Sequence, residues 1–283
     1  MPEVSVSRLA PAKINLTLHV TGQLANGYHL LDSLVVFAEL GDRVSICDAP
    51  GLQFSMSGPQ ALALADEGDN LVVRAARLMG AQDVGLTLDK RLPVASGMGG
   101  GSSDAAAALH LLSERHGIPL PNTAQAMGLG ADVPVCLAAP QPCRMRGLGE
   151  DVTPLTSVPA LWMLLVNPGQ GLSTPTVFKA LKSKNKAPMP ETLPRWVGSA
   201  DFCAWLETQR NDLEAPARAL IPGISTVLDK ISAQDGCYLA RMTGSGATCF
   251  GLFVDQAHAQ AAAESLARPD WFVASTRSAA SLS

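Results

Sequence analysis

Residues 96 to 109 read SGMGGGSSDAAAAL, which sets Gly97, Gly99, Gly100 and Gly101 directly against the run Ala105 to Ala108. Glycine loses the most conformational freedom on folding and alanine enters a helix most readily, so a loop-to-helix junction is required here. The pattern predicts a helix over Ser103–His116, with Leu109, Leu111 and Leu112 apolar and Gly117 as its stop. A helix N-terminus presents unpaired N–H groups and partial positive charge. Glycines just ahead of it let backbone amides close around an anion, and Ser102 and Ser103 add hydroxyls for phosphate. The same residues also suit a flexible connection in which Ser102 or Ser103 merely caps the helix. Four glycines in five residues favour the phosphate cradle. A Walker A loop does not fit, because Ser102-Ser103-Asp104 stands where Gly-Lys-Ser/Thr is needed. A dinucleotide fingerprint begun at Gly97 lacks its last glycine, at Ser102, and its regular βαβ context.

Around this junction the chain mixes strands and helices. KINLTLHVTG (13–22) alternates, predicting a half-buried strand with Ile14, Leu16, Leu18 and Val20 inward and Lys13 and Asn15 sharing the polar face. DRVSICDA (42–49), VGLTLDKRL (84–92) and the apolar LWMLLVNPG (161–169) also predict strands. CYLARMTGSGATCFGLFV (237–254) predicts strand, glycine turn, strand, and the lysine- and proline-rich KALKSKNKAPMPETLP (179–194) an exposed, mobile loop. Without regular β-α alternation the fold class is α+β. At 283 residues two domains are expected, with a boundary near Pro154 to Pro159, giving domains 1–154 and 155–283.

A net charge of −4 argues against nucleic acid or an anionic membrane as the partner. Six scattered cysteines form no C-x-x-C pair and no zinc spacing with the five histidines, so they are expected to be buried, reduced thiols. No stretch approaches the roughly 20 apolar residues of a membrane span, and the first residues lack a signal peptide's apolar region. A cytoplasmic protein, monomer or weak homodimer, is expected.

Three stretches in order, PAKINLTLHVTG (11–22), LPVASGMGGGSSDAAAAL (92–109) and MTGSGATCFGLF (242–253), resemble the GHMP kinases. The resemblance implies a two-domain α+β fold with the active site in the cleft between the domains, ATP with Mg²⁺, and phosphorylation of one substrate hydroxyl. NGYHLLDSLV (26–35), GADVPVCL (130–137) and NDLE (211–214) are similar to members acting on an alcohol that carries a cytidyl diphosphate, in the non-mevalonate route to isoprenoids. Alternatives within the resemblance are a homoserine or mevalonate type of kinase, or a silent nucleotide-binding regulator. GYH argues against the first, and the presence of both Lys13 and Asp132 against the second.

Carried over residue by residue, the resemblance makes Asp132 the base for the attacking hydroxyl and Lys13 the lysine beside it. On its own Asp132 reads as a turn or capping aspartate before Pro134. Asn15 falls where the substrate is held near its reacting hydroxyl. Tyr28 and His29 fall on the cytosine pocket, with Phe178 closing an aromatic sandwich and Thr174 nearby. Gly244, Ser245 and Gly246 fall on the substrate's phosphate side. ATP is assigned Pro93, Ser96, Gly97, Met98, Gly99, Gly100, Gly101, Ser102 and Ser103, with Asn70 and Lys90 near adenine. A side chain at Gly100 is accordingly expected to crowd ATP and spare the fold. Two departures are minor: Ala95-Ser96-Gly97 replaces a more glycine-rich lead-in, and Asp104 stands where asparagine or aspartate occurs.

Overall fold

In the computed structural model, which describes residues 5–64 and 69–279, the N-terminal alternation becomes β1 (Val6–Asn15) and β2 (His19–Gln23), followed by the 20-residue β3 (His29–Asp48). KINLTLHVTG is thus two strands with a break at Leu16 to Leu18. Its polar face is not solvated either: Lys13, Asn15, Thr17 and His19 are all buried. Later chain covers them, since Leu18 N donates to Arg210 O and Asn15 N to Thr243 Oγ1.

The strand β3 organises the first sheet. β1 and β5 (Val84–Asp89) pair along its C-terminal half, β2 and β6 (Cys143–Gly147) along its N-terminal half. At the sheet's ends β4 (Leu52–Ser57) runs parallel to β5, and β7 (Asp151–Pro154) antiparallel to β6. Helices α1 (Leu71–Leu78), α2 (Gly100–His116), α3 (Thr123–Leu129) and α4 (Val133–Leu137) accompany these strands. Four alanines on α2 pack with Leu109, Leu111 and Leu112, most of them in one core with Val44, Ile46, Leu86 and Leu88; small side chains let the helix lie close to the sheet. The helix starts three residues before the sequence boundary. Its N-cap is Gly99 at φ 63° with no side-chain cap bond, so neither serine caps it, while Gly117 at φ 63° ends it as expected.

The second sheet is antiparallel, in the order β11 (Phe272–Arg277), β8 (Trp162–Asn167), β10 (Cys249–Phe253), β9 (Cys237–Met242). The apolar LWMLLV run and the strand–turn–strand are therefore as expected, and the class is α+β. Helices α5 (Thr174–Lys179), α6 (Ser199–Glu207), α7 (Glu214–Leu220), α8 (Gly223–Ser232) and α9 (Gln256–Leu266) belong to this half. The sheets share a core in which Ile14, Leu16 and Leu34 meet Met163, Leu165 and Phe250.

Segment 179–194 differs from its expectation. Beyond the end of α5 it has no regular structure, yet it is strapped down. Arg144 forms a bidentate pair with Asp32 at 2.8 Å and donates to Pro190 O and Glu191 O, while Met189 N donates to Asp32 and Lys186 N to Val20 O. Each pin comes from a residue distant in sequence, so local composition does not reveal it. All six cysteines are free thiols, and burial pushes Cys136 and Cys143 up to about 12. Among the described residues no helix is long and apolar enough to cross a membrane.

Candidate active site

A cleft of about 910 Å³ is bordered by residues from both halves of the chain, with the glycine loop at its floor. Three of the four loop glycines are demanded by the protein's own atoms. A Cβ on Gly97 (φ +79°) would stand 2.7 Å from the carbonyl oxygens of Thr243 and Gly246, and one on Gly244 (φ +56°) 2.5 Å from Gly97 O. A Cβ on Gly99 would stand 3.0 Å from Lys13 Cε, and one on Gly100 3.0 Å from Lys90 Nζ. The expectation that a side chain at Gly100 crowds only a ligand is thus corrected, because it meets a buried ion pair first. Gly101 differs: its Cβ would touch only Leu71 Cδ1, at 3.4 Å.

Pro93, Ser96, Gly97, Gly99, Gly100, Gly101 and Ser102 border the cleft, where the first N–H groups of α2 lack intrahelical partners. Met98 and Ser103 do not border it. Met98 is wholly buried and its carbonyl accepts Lys13 N, whereas Ser103 Oγ donates to Pro11 O at 2.7 Å.

Across the loop stands Lys13. The β1–β3 register shifts between Pro11 and Lys13, and beyond that irregularity Lys13 and Asn15 both border the cleft. Lys13 is 3% exposed and its Nζ lies 2.8 Å from Asp132 Oδ2. Asp132 precedes α4 but makes no side-chain cap bond, so the capping role open to it in the sequence is not the one it takes. Asn15 Nδ2 donates to Ser33 Oγ at 2.7 Å, leaving its Oδ1 buried without a partner. An ionisable carboxylate, a buried ammonium and a free amide oxygen thus meet beside an amide-rich helix mouth. That set can take a proton, neutralise developing charge and orient a hydroxyl.

Lys90 and Asn70 also border the cleft, and both are engaged by the chain itself. Lys90 Nζ donates to Asp42 at 2.5 Å and to Asp104 at 2.7 Å, all three side chains being buried. Asp42 Oδ1 further accepts the backbone N–H groups of Arg91 and Leu92. Burial pushes the Asp104 carboxyl up to about 8 against the pull of Lys90, and Lys90 is held above its ordinary value because the two carboxylates outweigh burial. Asp104, which the sequence leaves without a role, is therefore a partner in the tie beneath the helix mouth. Asn70 caps α1, its Oδ1 accepting Val72 N at 2.9 Å.

At the opposite end Thr174, Phe178, Gly244 and Ser245 border the cleft, and Thr174 Oγ1 and Ser245 Oγ lie 2.7 Å apart. Phe178 stacks on His29, with ring centroids 4.6 Å apart. Burial, and then the charge of Lys184, hold His29 below its ordinary pKa; its Nε2 is buried without a partner. Neither His29 nor its neighbour Tyr28, which sits on the turn and is 62% exposed, is among the residues that border the cleft. Sequence reasoning missed Thr243, whose hydroxyl accepts Asn15 N, and the work of NDLE. Asn211 Nδ2 donates to Met242 O and Gly244 O, bracing the glycine turn, and Asp212 accepts Val20 N.

The geometry has counterparts in known proteins. The family described as GHMP kinases N terminal domain matches residues 70–139, and GHMP kinases C terminal matches residues 200–269. A protein of Cereibacter sphaeroides named 4-diphosphocytidyl-2-C-methyl-D-erythritol kinase is 55% identical over 271 residues, covering 95% of this chain and 97% of that one. A protein of the same name from Paracoccus denitrificans is 56% identical over 269 residues, covering 94% of each. A crystal structure of 4-(cytidine 5'-diphospho)-2C-methyl-D-erythritol kinase superposes with a TM-score of 0.75 at 32% identity, covering 97% of this chain and all of that one.

Proposed function

The chain belongs to the GHMP kinases, in the group whose members are named 4-diphosphocytidyl-2-C-methyl-D-erythritol kinase, and on that footing we propose that it transfers the γ-phosphoryl group of ATP to the 2-hydroxyl of 4-diphosphocytidyl-2-C-methyl-D-erythritol. The observation that carries the reading is the Lys13–Asp132 pair, 2.8 Å apart, opposite the glycine loop. Phosphoryl transfer asks for positioning, charge neutralisation and an acceptor for the hydroxyl proton. In this reading the amides of α2 cradle the ATP phosphates and Asn15 Oδ1 orients the substrate's alcohol. As its oxygen bonds to the γ-phosphorus the proton passes to Asp132, ADP leaves, and Lys13 stabilises the charge on the transferring group. His29, a neutral imidazole, offers a donor and an acceptor to the cytosine edge, and Phe178 its face.

Mg²⁺ enters as the magnesium salt of ATP and neutralises phosphate charge. Among the described residues no cluster of three ligating side chains occurs. Strands up to Pro154 in one sheet and from Trp162 in the other support domains 1–154 and 155–283, with a cytoplasmic enzyme as the setting. The shared name of the relatives favours the cytidyl substrate over homoserine or mevalonate. The test is ADP release with the diphosphocytidyl compound, free methylerythritol phosphate, homoserine and mevalonate. Turnover of the first alone is expected; equal turnover of any other refutes the reading.

A further inference from the structure

The His29–Phe178 stack joins two distant parts of the chain. His29 opens β3, beside the β2–β3 turn, and Phe178 lies on α5, a helix of six residues. A helix that short does not hold itself in water. Its Val177 is buried in a core with Leu18, Val20 and Leu213, whereas Phe178 is only partly buried against that core. The strap that follows, residues 180–191, has no regular structure, and Lys182, Ser183 and Asn185 on it are exposed. Chain of this kind moves unless it is pinned.

Two buried carboxylates pin it. Asp212 accepts Val20 N of β2 at 2.8 Å and Lys186 Nζ of the strap at 2.7 Å, while Lys186 N donates to Val20 O. Arg210 Nε is a second cation on Asp212, at 2.9 Å. Asp32, three residues beyond His29 on β3, accepts Met189 N as well as Nε and Nη2 of Arg144, each at 2.8 Å. The other three N–H groups of that guanidinium go to the carbonyls of Met189, Pro190 and Glu191, so all five donors are used. Balancing the charge of Asp32 needs only the first two bonds; the rest act on the main chain of the strap. Leu31, Met145 and Leu213 border the cleft, and each is the chain neighbour of a pinning residue, Asp32, Arg144 and Asp212 in turn.

We infer that the Lys186–Asp212 and Asp32–Arg144 pairs are positioning residues of the cytidyl site, which hold Phe178 against His29 from behind the cleft wall and so set the affinity for the base. None of the four borders the cleft, so they act through the stack, a role that rests on the cytidyl reading of His29 and Phe178.

The test is the variant Arg144→Lys/Lys186→Gln in the full chain. It leaves each carboxylate a cation, Arg210 on Asp212 and the substituted ammonium on Asp32, so no charge is buried alone and the fold is kept. KM for the diphosphocytidyl substrate rises about tenfold, within the ten- to a hundredfold that loss of the aromatic face itself costs. The kcat value and the calorimetric dissociation constant of ATP hold. In a Phe178→Ala background the same two substitutions change KM by less than about twofold, because the ring they position is gone; a merely structural role adds its full effect in both backgrounds. Arg144→Lys alone loses only the fork on the strap carbonyls; it carries the same comparison should the double variant fail to fold, with a rise in KM of about threefold. An unchanged KM overturns the inference, and so does a rise that persists in full without Phe178. A native protein that neither binds cytidine diphosphate nor turns over the diphosphocytidyl compound overturns the cytidyl reading itself, and this role with it.

Discussion

Asp132→Asn is the perturbation that bears most directly on the chemistry, because it keeps the shape of the side chain and removes its charge and basicity. Two costs are separable. The first is stability. Lys13 is 3% exposed and has Asp132 as its only charged partner among the described residues, while the Asp132 side chain is 38% exposed. Solvent at the carboxylate screens the pair, so breaking it costs well below the about 3–5 kcal/mol lost when one partner of a fully buried pair is removed. Asparagine leaves Lys13 Nζ an oxygen to bond. A loss of about 1–2 kcal/mol follows, a Tm lower by only a few degrees in a chain of this size.

The second cost is in the rate. Removing a positioned base costs about 10²–10⁴ in turnover, roughly 3–5 kcal/mol of barrier. Binding moves the other way, since the lost carboxylate repelled the phosphates; ATP is held as well or slightly tighter. The assay is kcat by coupled ADP release, beside calorimetric dissociation constants for ATP and for the cytidyl substrate, and a melting curve. A folded Asp132→Asn protein turning over within a few-fold of the native one refutes the role as base. A variant that fails to fold identifies Asp132 as the structural counter-ion of Lys13 instead.

Gly100→Ala and Gly101→Ala should part company. The first drives a Cβ to 3.0 Å from Lys90 Nζ and costs about 1–3 kcal/mol of stability, so its Tm falls; the second meets only Leu71, leaves Tm unchanged or raised, and weakens ATP severalfold by calorimetry. Ala95 holds φ +50°, a left-handed conformation costing a non-glycine residue about 1–2 kcal/mol; Ala95→Gly returns most of that, less about 0.4–1 kcal/mol of unfolded-chain entropy, so its Tm rises, and a fall refutes the argument. Phe178→Ala removes a stacking face worth about 1–3 kcal/mol and raises KM for the cytidyl substrate about ten- to a hundredfold, whereas Tyr28→Ala, on an exposed turn, has the smaller effect.

Much of this is legible in the sequence, and the pattern of what is not has a physical cause. Local signals worked where local physics decides. Gly117 stops α2, LWMLLV is a buried strand, and MTGSGATC is a turn between strands. The junction at Gly97 to Ala108 lies where the glycine and alanine runs meet, although a glycine rather than a serine caps the helix. Errors fall where distant residues decide. KINLTLHVTG looked half-exposed because nothing within it signals that Arg210 and Thr243 cover its polar face. The segment 179–194 looked free because its pins, Asp32 and Arg144, stand far upstream. Lys90 and Asp104 are 14 residues apart, and no periodicity announces that they meet over Asp42.

The same contrast explains why three motifs near positions 13, 97 and 244 belong to one device. Gly97 and Gly244 touch backbone to backbone, too closely for a Cβ on either. Thr248 N donates to Ser96 O, and the Thr243 hydroxyl accepts the N–H of Asn15. Lys13 N in turn donates to Met98 O. The floor of the cleft is thus a three-way junction in which strand β1, the glycine loop and the β9–β10 turn hold one another through main-chain atoms and the one hydroxyl of Thr243. Main-chain contacts of this kind ask for small residues at the crossing points and leave side chains free to face the cleft. Each motif therefore looks, alone, like an ordinary turn or strand. Their function lies in the junction, which is also why Asn211, donating to Met242 O and Gly244 O from a fourth stretch of chain, supports the site without bordering it.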